Sequence, residues 1–183
     1  MKWNTEPEFM KQITESIHQV FLNLPLKQVL SEDFPKDCAS LAIIGGWGYS
    51  QDEAIKFIQI PNDRLASAQF VSLEYHIAQK IIYEELIICR PDDYKFSGIN
   101  MNLCQQNTIH ENSLIFDKLL FDVTCWSDWH WDQLKDEWEQ NEFGNKAGFD
   151  IEDHNKKRNA SLISYKREFW FDITDVFKHY SQV

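Results

Sequence analysis

At 183 residues, with 43% apolar and 26% charged residues, the chain can bury one sizeable core and is short for two full domains. Its formal net charge of −11 argues against nucleic acid as a partner, because binding phosphate takes a concentrated positive surface. That charge suits a basic protein partner met through electrostatic steering, and equally an acidic cytosolic protein with no special partner.

In chain order, the first strong element is a helix expected over residues 5–24. Thr5 and Glu8 have capping-box spacing, Pro7 sits in the tolerated first turn, and Phe9, Ile13, Ile17, Val20, Phe21 and Leu24 recur at helical spacing. Pro25 ends it, and a short helical piece follows through Leu30 until 31–35 stops it. Residues 39–44 read as a buried strand running into Gly45-Gly46-Trp47-Gly48-Tyr49, the one Gly-rich stretch. Ile55, Phe57 and 58–60 then suggest a second strand of a hairpin-like unit before Pro61, although Ser50 and Glu53 are also spaced to cap a helical turn.

A second strong helix is expected over 65–88. Phe70, Leu73, Ile77, Ile81 and either Leu86 or Ile88 line its apolar face, with Glu74, Lys80, Glu84 and Glu85 opposite. Residues 94–103 and 119–125 alternate as paired antiparallel strands, the first kinked at Gly98, joined by a polar loop over 105–112. Ser127 is the expected N-cap of a third helix through Gln140, with Asp128 and Asp132 favouring its dipole. Residues 143–158 read as a polar loop, 161–172 as a last strand and 174–180 as a closing helix. Helices and strands do not alternate as a parallel sheet requires. The fold class is therefore α+β, a single domain over 1–183 with an antiparallel sheet packed against helices.

Cys38, Cys89, Cys104 and Cys125 have apolar neighbours and no C-x-x-C spacing, so they read as buried free thiols. The start, MKWNTEPEF, lacks the apolar segment of a secretory signal, and no run approaches the roughly 18 apolar residues of a membrane span. A cytoplasmic protein is expected.

Candidate sites are few. Glycines at 45, 46 and 48 permit positive φ and close backbone approach, but no phosphate-loop or dinucleotide motif surrounds them. The stretch is either a tight turn burying Trp47 or a functional loop built on Gly46, Trp47 and Tyr49. Trp131, Leu134 and Trp138 must share a helix face and read as core, whereas Trp126 and Trp129 are open to either placement. Between Ser127 and Asp153 nine acids face two lysines, which is −7 of the total −11. Solvated helix faces produce such a block, and so does a surface for a basic protein, with aromatic anchors among its acids. On that second reading the partner-binding residues are Asp128, Trp129, Asp132, Asp136, Glu139 and Glu142.

Nothing assembles a catalytic centre. Glu84 and Glu85 would point about 100° apart on a helix, no H-E-x-x-H or other metal spacing occurs, and G-x-S-x-G is absent. His154, beside Lys156, Lys157 and Arg158, reads as solvated surface. No catalytic residue, cofactor or metal is expected.

The strand ending in Gly45-Gly46-Trp47-Gly48-Tyr49-Ser50-Gln51-Asp52-Glu53-Ala54, the long helix carrying Glu84-Glu85, and Asp128-Trp129-His130-Trp131 resemble bacterial immunity proteins of polymorphic or contact-dependent toxins. The resemblance covers about half the chain. It implies a cytosolic, non-enzymatic inhibitor that binds a toxin domain, with no catalytic residue carried over. A different expectation is a small-ligand binder or enzyme with a pocket lined by Trp47, Trp126 and Trp129. A third is a subunit of a larger assembly.

Overall fold

The computed structural model describes residues 24–58 and 66–181. The helix expected over 5–24 lies, apart from Leu24, outside the described residues, as does the strand end expected at 59–60. Helix α1 (Leu26–Asp33) buries Leu26, Val29 and Leu30 at i, i+3 and i+4, and Pro25 sets its entry in extended geometry. A single turn, α2 (Pro35–Cys38), follows, opened by the proline.

Strands β1 (Ile43–Gly45) and β2 (Ile55–Phe57) form a short antiparallel pair, Ile43 opposite Phe57. Residues 50–54 close it with turns, Glu53 N donating to Ser50 O and Ala54 N to Gln51 O, so the hairpin alternative holds over the helical one. Helix α3 (Ala66–Tyr83) runs into a π-helical turn (Glu84–Ile88). Leu86 is buried there and Ile88 exposed, which decides which of the two continues the apolar face.

A correction concerns the polar side assigned to this helix. Glu74, Glu84 and Glu85 are buried, the last two in the π turn, where Glu85 meets Tyr49 and Arg167.

After a 3-10 turn (Asp92–Tyr94), β3 (Phe96–Glu111) and β4 (Leu114–Ser127) make one long hairpin. The polar loop expected over 105–112 is therefore strand up to Glu111. Asn112 and Ser113, both at positive φ, supply the whole two-residue turn. Polar residues sustain strand here because β3 is the sheet edge, where side chains meet water. The kink expected at Gly98 is present as a register shift between Ser97 and Asn100, with Gly98 at φ 63°.

Helix α4 (Asp128–Gln140) starts at Ser127, whose Oγ accepts from His130 N, as expected of that cap. A second correction follows. Residues 151–158, expected in a loop, and Ser161, expected to open the last strand, belong to α5 (Ile151–Ser161), capped by Asp150 accepting from Asp153 N at 2.9 Å. Its apolar periodicity is nearly nil, which hid it. Strand β5 (Ile163–Asp172) and helix α6 (Thr174–Ser181) close the chain.

The sheet order is β1-β2-β5-β4-β3, and the domain is α+β. It is mixed and mostly antiparallel. The β2–β5 pair is parallel, since β5 lies between the two hairpins and runs alongside β2 in the same direction. Tyr165, Arg167, Phe169 and Phe171 alternate inward along β5 and meet Leu119, Phe121 and Val123 of β4 and Ile77, Ile81 and Leu86 of the helix. Phe121 and Phe169 pack edge to face at 5.9 Å, and Phe57 stacks on Phe171 at 6.1 Å. Cys38 and Cys125 are buried and Cys89 half-buried; Cys104, expected inside, is exposed on the edge strand. Among the described residues no helix is long and apolar enough to cross a membrane.

Candidate functional site

The Gly-rich stretch is clamped from both sides. A Cβ at Gly45 (φ 98°) would lie 2.2 Å from Ala54 O, and one at Gly46 would lie 2.7 Å from Glu53 Cβ. Gly48 N donates to Glu53 O at 2.8 Å, and Gly48 O accepts from Trp170 N at 3.1 Å, tying the loop to β5. Trp47 packs half-buried on the core. The loop's glycines are thus explained by packing. Tyr49 goes further, donating its hydroxyl to Glu85 Oε1 at 3.1 Å.

That hydrogen bond leads into a buried polar cluster. Arg167 donates from Nη2 and Nε to Glu85 Oε1 at 2.9 and 3.0 Å, and from Nη1 to the Glu168 carbonyl. Its guanidinium lies 4.2 Å from the ring centres of both Tyr49 and Phe169. Arg90 Nε donates to Glu85 O at 2.7 Å beneath the Phe96 ring. Burial, with the Glu85 carboxylate second, pushes the Tyr49 hydroxyl far above its ordinary range. Burial opposes the charge on Arg167, yet Glu85 keeps its pKa above the ordinary value. Tyr49, Glu85 and Arg167 satisfy one another, with Glu85 and Arg167 shut off from solvent and Arg90 Nη2 left without a hydrogen-bond partner, an arrangement that suits a structural joint between loop, helix and sheet. Arg167 was legible in principle, since the period-two alternation from Tyr165 to Phe171 places it on the inward face.

Two further acids are buried on the same helix. Glu74 Oε2 has no hydrogen-bond partner, and burial, aided by the charge of Asp117, pushes Glu74 up to about 9. Asp117 itself accepts from Gln106 Nε2 at 2.9 Å and Thr108 Oγ1 at 2.7 Å. Glu84 is pushed up to about 8 by burial and then by Asp33. Among the described residues, no group of three or more His, Cys, Asp or Glu side chains is placed to hold a metal ion.

The nominated partner-binding residues lie on or next to α4 and divide. Asp128 turns toward β3 and accepts from Ser97 Oγ at 2.7 Å. Trp129 is 63% exposed, the largest outward apolar group of the helix. Asp132, Asp136 and Glu139 are also exposed, Glu139 lying 3.9 Å from Lys135. At about 100° per residue, Trp129, Asp132, Asp136 and Glu139 fall within roughly 80° of the helix circumference. Glu142 lies past the helix end in a left-handed turn with Phe143.

The opposite side of α4 faces inward. Trp131 and Trp126 lie 5.4 Å apart over Gly98, and Trp138 covers Gly144 and packs on Phe149 and His154. His154, expected on the solvated surface, is buried, because α5 brings it under Trp138. Its Nδ1 lies 2.8 Å from Glu137 Oε2, while Lys157 Nζ donates to Glu137 Oε1 at 2.6 Å. Those two contacts, Lys157 first, hold the Glu137 carboxyl below its usual range.

Between α4 and α5 runs an open groove of about 700 Å³, walled by Trp129, Gln133, Asp136, Glu137, Gln140 and Lys157. Trp47 and Trp126 are not among the residues that line it, so the three indoles do not converge there. Compared with known proteins, this chain matches no protein family, no curated protein and no solved structure.

Proposed function

We propose that the protein is a non-enzymatic, stoichiometric binder that docks a basic protein domain on the outward arc of α4. The resemblance to immunity proteins adds the class of partner, a toxin domain whose active site or substrate surface is covered. The observation that carries the reading is Trp129, an indole left 63% exposed beside Asp132, Asp136 and Glu139. An exposed tryptophan gives a desolvating anchor, and acids around it steer a cationic partner and set its orientation. Lys135, the one Lys or Arg of α4, falls about 40° outside that arc beside Glu139, so the arc stays negative.

The test begins with capture of the tagged protein from its native cell at low and high salt, followed by kinetics on the purified pair. A single basic partner, bound one to one and released as salt rises, is the expected result. Reversal of Asp132, Asp136 and Glu139 to Lys then slows association about tenfold, and Trp129→Ala speeds dissociation. Recovery of the chain with no protein partner would sink the binder reading. An unchanged association rate in the triple reversal would remove the arc from it.

A further inference from the structure

We propose that a second hollow between α4 and α5, on the inward side of α4, is a binding site for a small aromatic carboxylate. It measures about 290 Å³, at the small end of ligand pockets, which is room for one ring or two fused ones. Trp131, Leu134 and Trp138 supply one wall from α4, and His154, Asn155 and Arg158 supply the other from α5. Both indoles are half-buried, so each keeps part of a flat apolar face open. The His154 ring lies 5.2 Å from that of Trp138 and at 35° to its plane, which extends the flat surface. Aromatic rings stack on such a surface in offset or tilted geometry.

Charge selects the other half of the ligand. Lys135 and Arg158 line the hollow, and its wall holds no Asp or Glu. Arg158 is held twice by Trp126, whose Nε1 donates to the Arg158 carbonyl at 3.0 Å and whose ring centre lies 5.3 Å from the guanidinium carbon. Among the described residues Arg158 makes no ion pair, and the Asn155 amide makes no side-chain hydrogen bond. A guanidinium fork matches the two oxygens of a carboxylate, and an amide N–H adds a further donor. The acids next to the hollow are already compensated. Glu139 lies 3.9 Å from Lys135, and Glu137 is met by Lys157 at 2.6 Å and by His154 at 2.8 Å. The remaining acids of a chain of net −11 act through solvent, where a Debye length of about 8 Å screens them, so the local cations set the sign. A cationic ring would meet like charge there, and an uncharged one would leave Arg158 without a partner.

Calorimetric titration of the purified chain with naphthoate tests this, beside naphthalenemethanol, the uncharged alcohol of like size. Naphthoate is expected to bind one to one with a dissociation constant of roughly 0.1–1 mM, and the alcohol about fivefold more weakly or worse. Arg158→Gln keeps the carbonyl that Trp126 holds and is expected to weaken naphthoate about tenfold while changing the alcohol little. Lys156→Gln removes the same charge from an exposed position outside the wall and is expected to leave naphthoate binding unchanged. The indole N–H resonances of Trp131 and Trp138 are expected to move during the titration, and those of Trp47 and Trp129 to stay. No saturable binding up to about 10 mM overturns the proposal. So do equal affinities for naphthoate and the alcohol, and equal losses in the Arg158 and Lys156 variants. The comparison of acid with alcohol on the parent chain stands whatever Arg158→Gln does to stability. Trp129, Asp132, Asp136 and Glu139 are not in this wall, so either result leaves the protein-binding reading standing.

Discussion

Arg167 and Glu85 form a buried ion pair 82 residues apart in the chain, Nη2 to Oε1 at 2.9 Å, both side chains shut off from solvent. Tyr49 reaches the same carboxylate from the Gly-rich loop, so three elements meet at one charge. Removal of either partner leaves the other charge buried alone, whereas removal of both leaves only a packing defect.

The first prediction follows from that asymmetry. Glu85→Ala and Arg167→Met are each expected to destabilise the fold by about 3–5 kcal/mol, and the double variant by less than the sum of the two. Urea unfolding of the four proteins measures the coupling. Additive losses would show that the pair is not a unit.

A second prediction concerns pH. Glu74 and Glu84 are pushed up to about 9 and about 8 from an ordinary 4.5, chiefly by burial. The folded state therefore keeps protons that the unfolded chain releases. Their contribution is fully present below about pH 4.5 and is lost as pH rises through about 8 to 9. Between pH 6 and 8 Glu74 alone costs on the order of 2 kcal/mol of stability. Glu74→Gln should flatten this part of the profile, read from urea midpoints at pH 6, 7 and 8. An unchanged slope would mean that Glu74 is already ionised in the folded protein across this range.

The third prediction tests the seat of α4. At Gly98 a Cβ would meet Trp131 at 2.6 Å and Trp126 at 2.7 Å, on a backbone at φ 63°. Gly98→Ala is expected to cost about 1–3 kcal/mol and to red-shift tryptophan fluorescence as the two indoles part. Wild-type stability and emission would show that the indoles can move aside at no cost.

A fourth prediction bears on α5. His154→Ala removes the ring from between Trp138 and Glu137 and is expected to cost about 2 kcal/mol, with faster amide exchange in α5 than in α3. Equal exchange rates would place His154 outside the joint between the two helices.

Much of the fold was legible where the signal is local. The apolar repeat through Ile77 and Ile81, the Ser127 cap, the alternation along β5 and the break at Gly98 each depend on residues a few positions apart. Arg167 sits on the inward side of the alternation along β5, but a charged residue there reads as an exception until its partner is known. Residues 105–111 were misread because an edge strand needs no apolar alternation, and α5 because almost all of it faces water. The outward arc of α4 follows from helix geometry once its cap is placed. The burial of His154 does not, since the rings of Trp138 and Phe149 that cover it come from other elements.

By itself the sequence determined the α+β class, the start of α4, the last strand and the acidic block, because caps, periodicity and charge density are properties of short stretches. Only the tertiary structure decided that Glu74, Glu84, Glu85, Arg167 and His154 are interior, that β3 lies at an edge of the sheet, and that β2 and β5 run parallel. A polar side chain is buried when a distant partner or packed neighbour makes that placement stable. Such neighbours, like the carboxylate that meets Arg167 from 82 residues away, leave no mark on the local pattern.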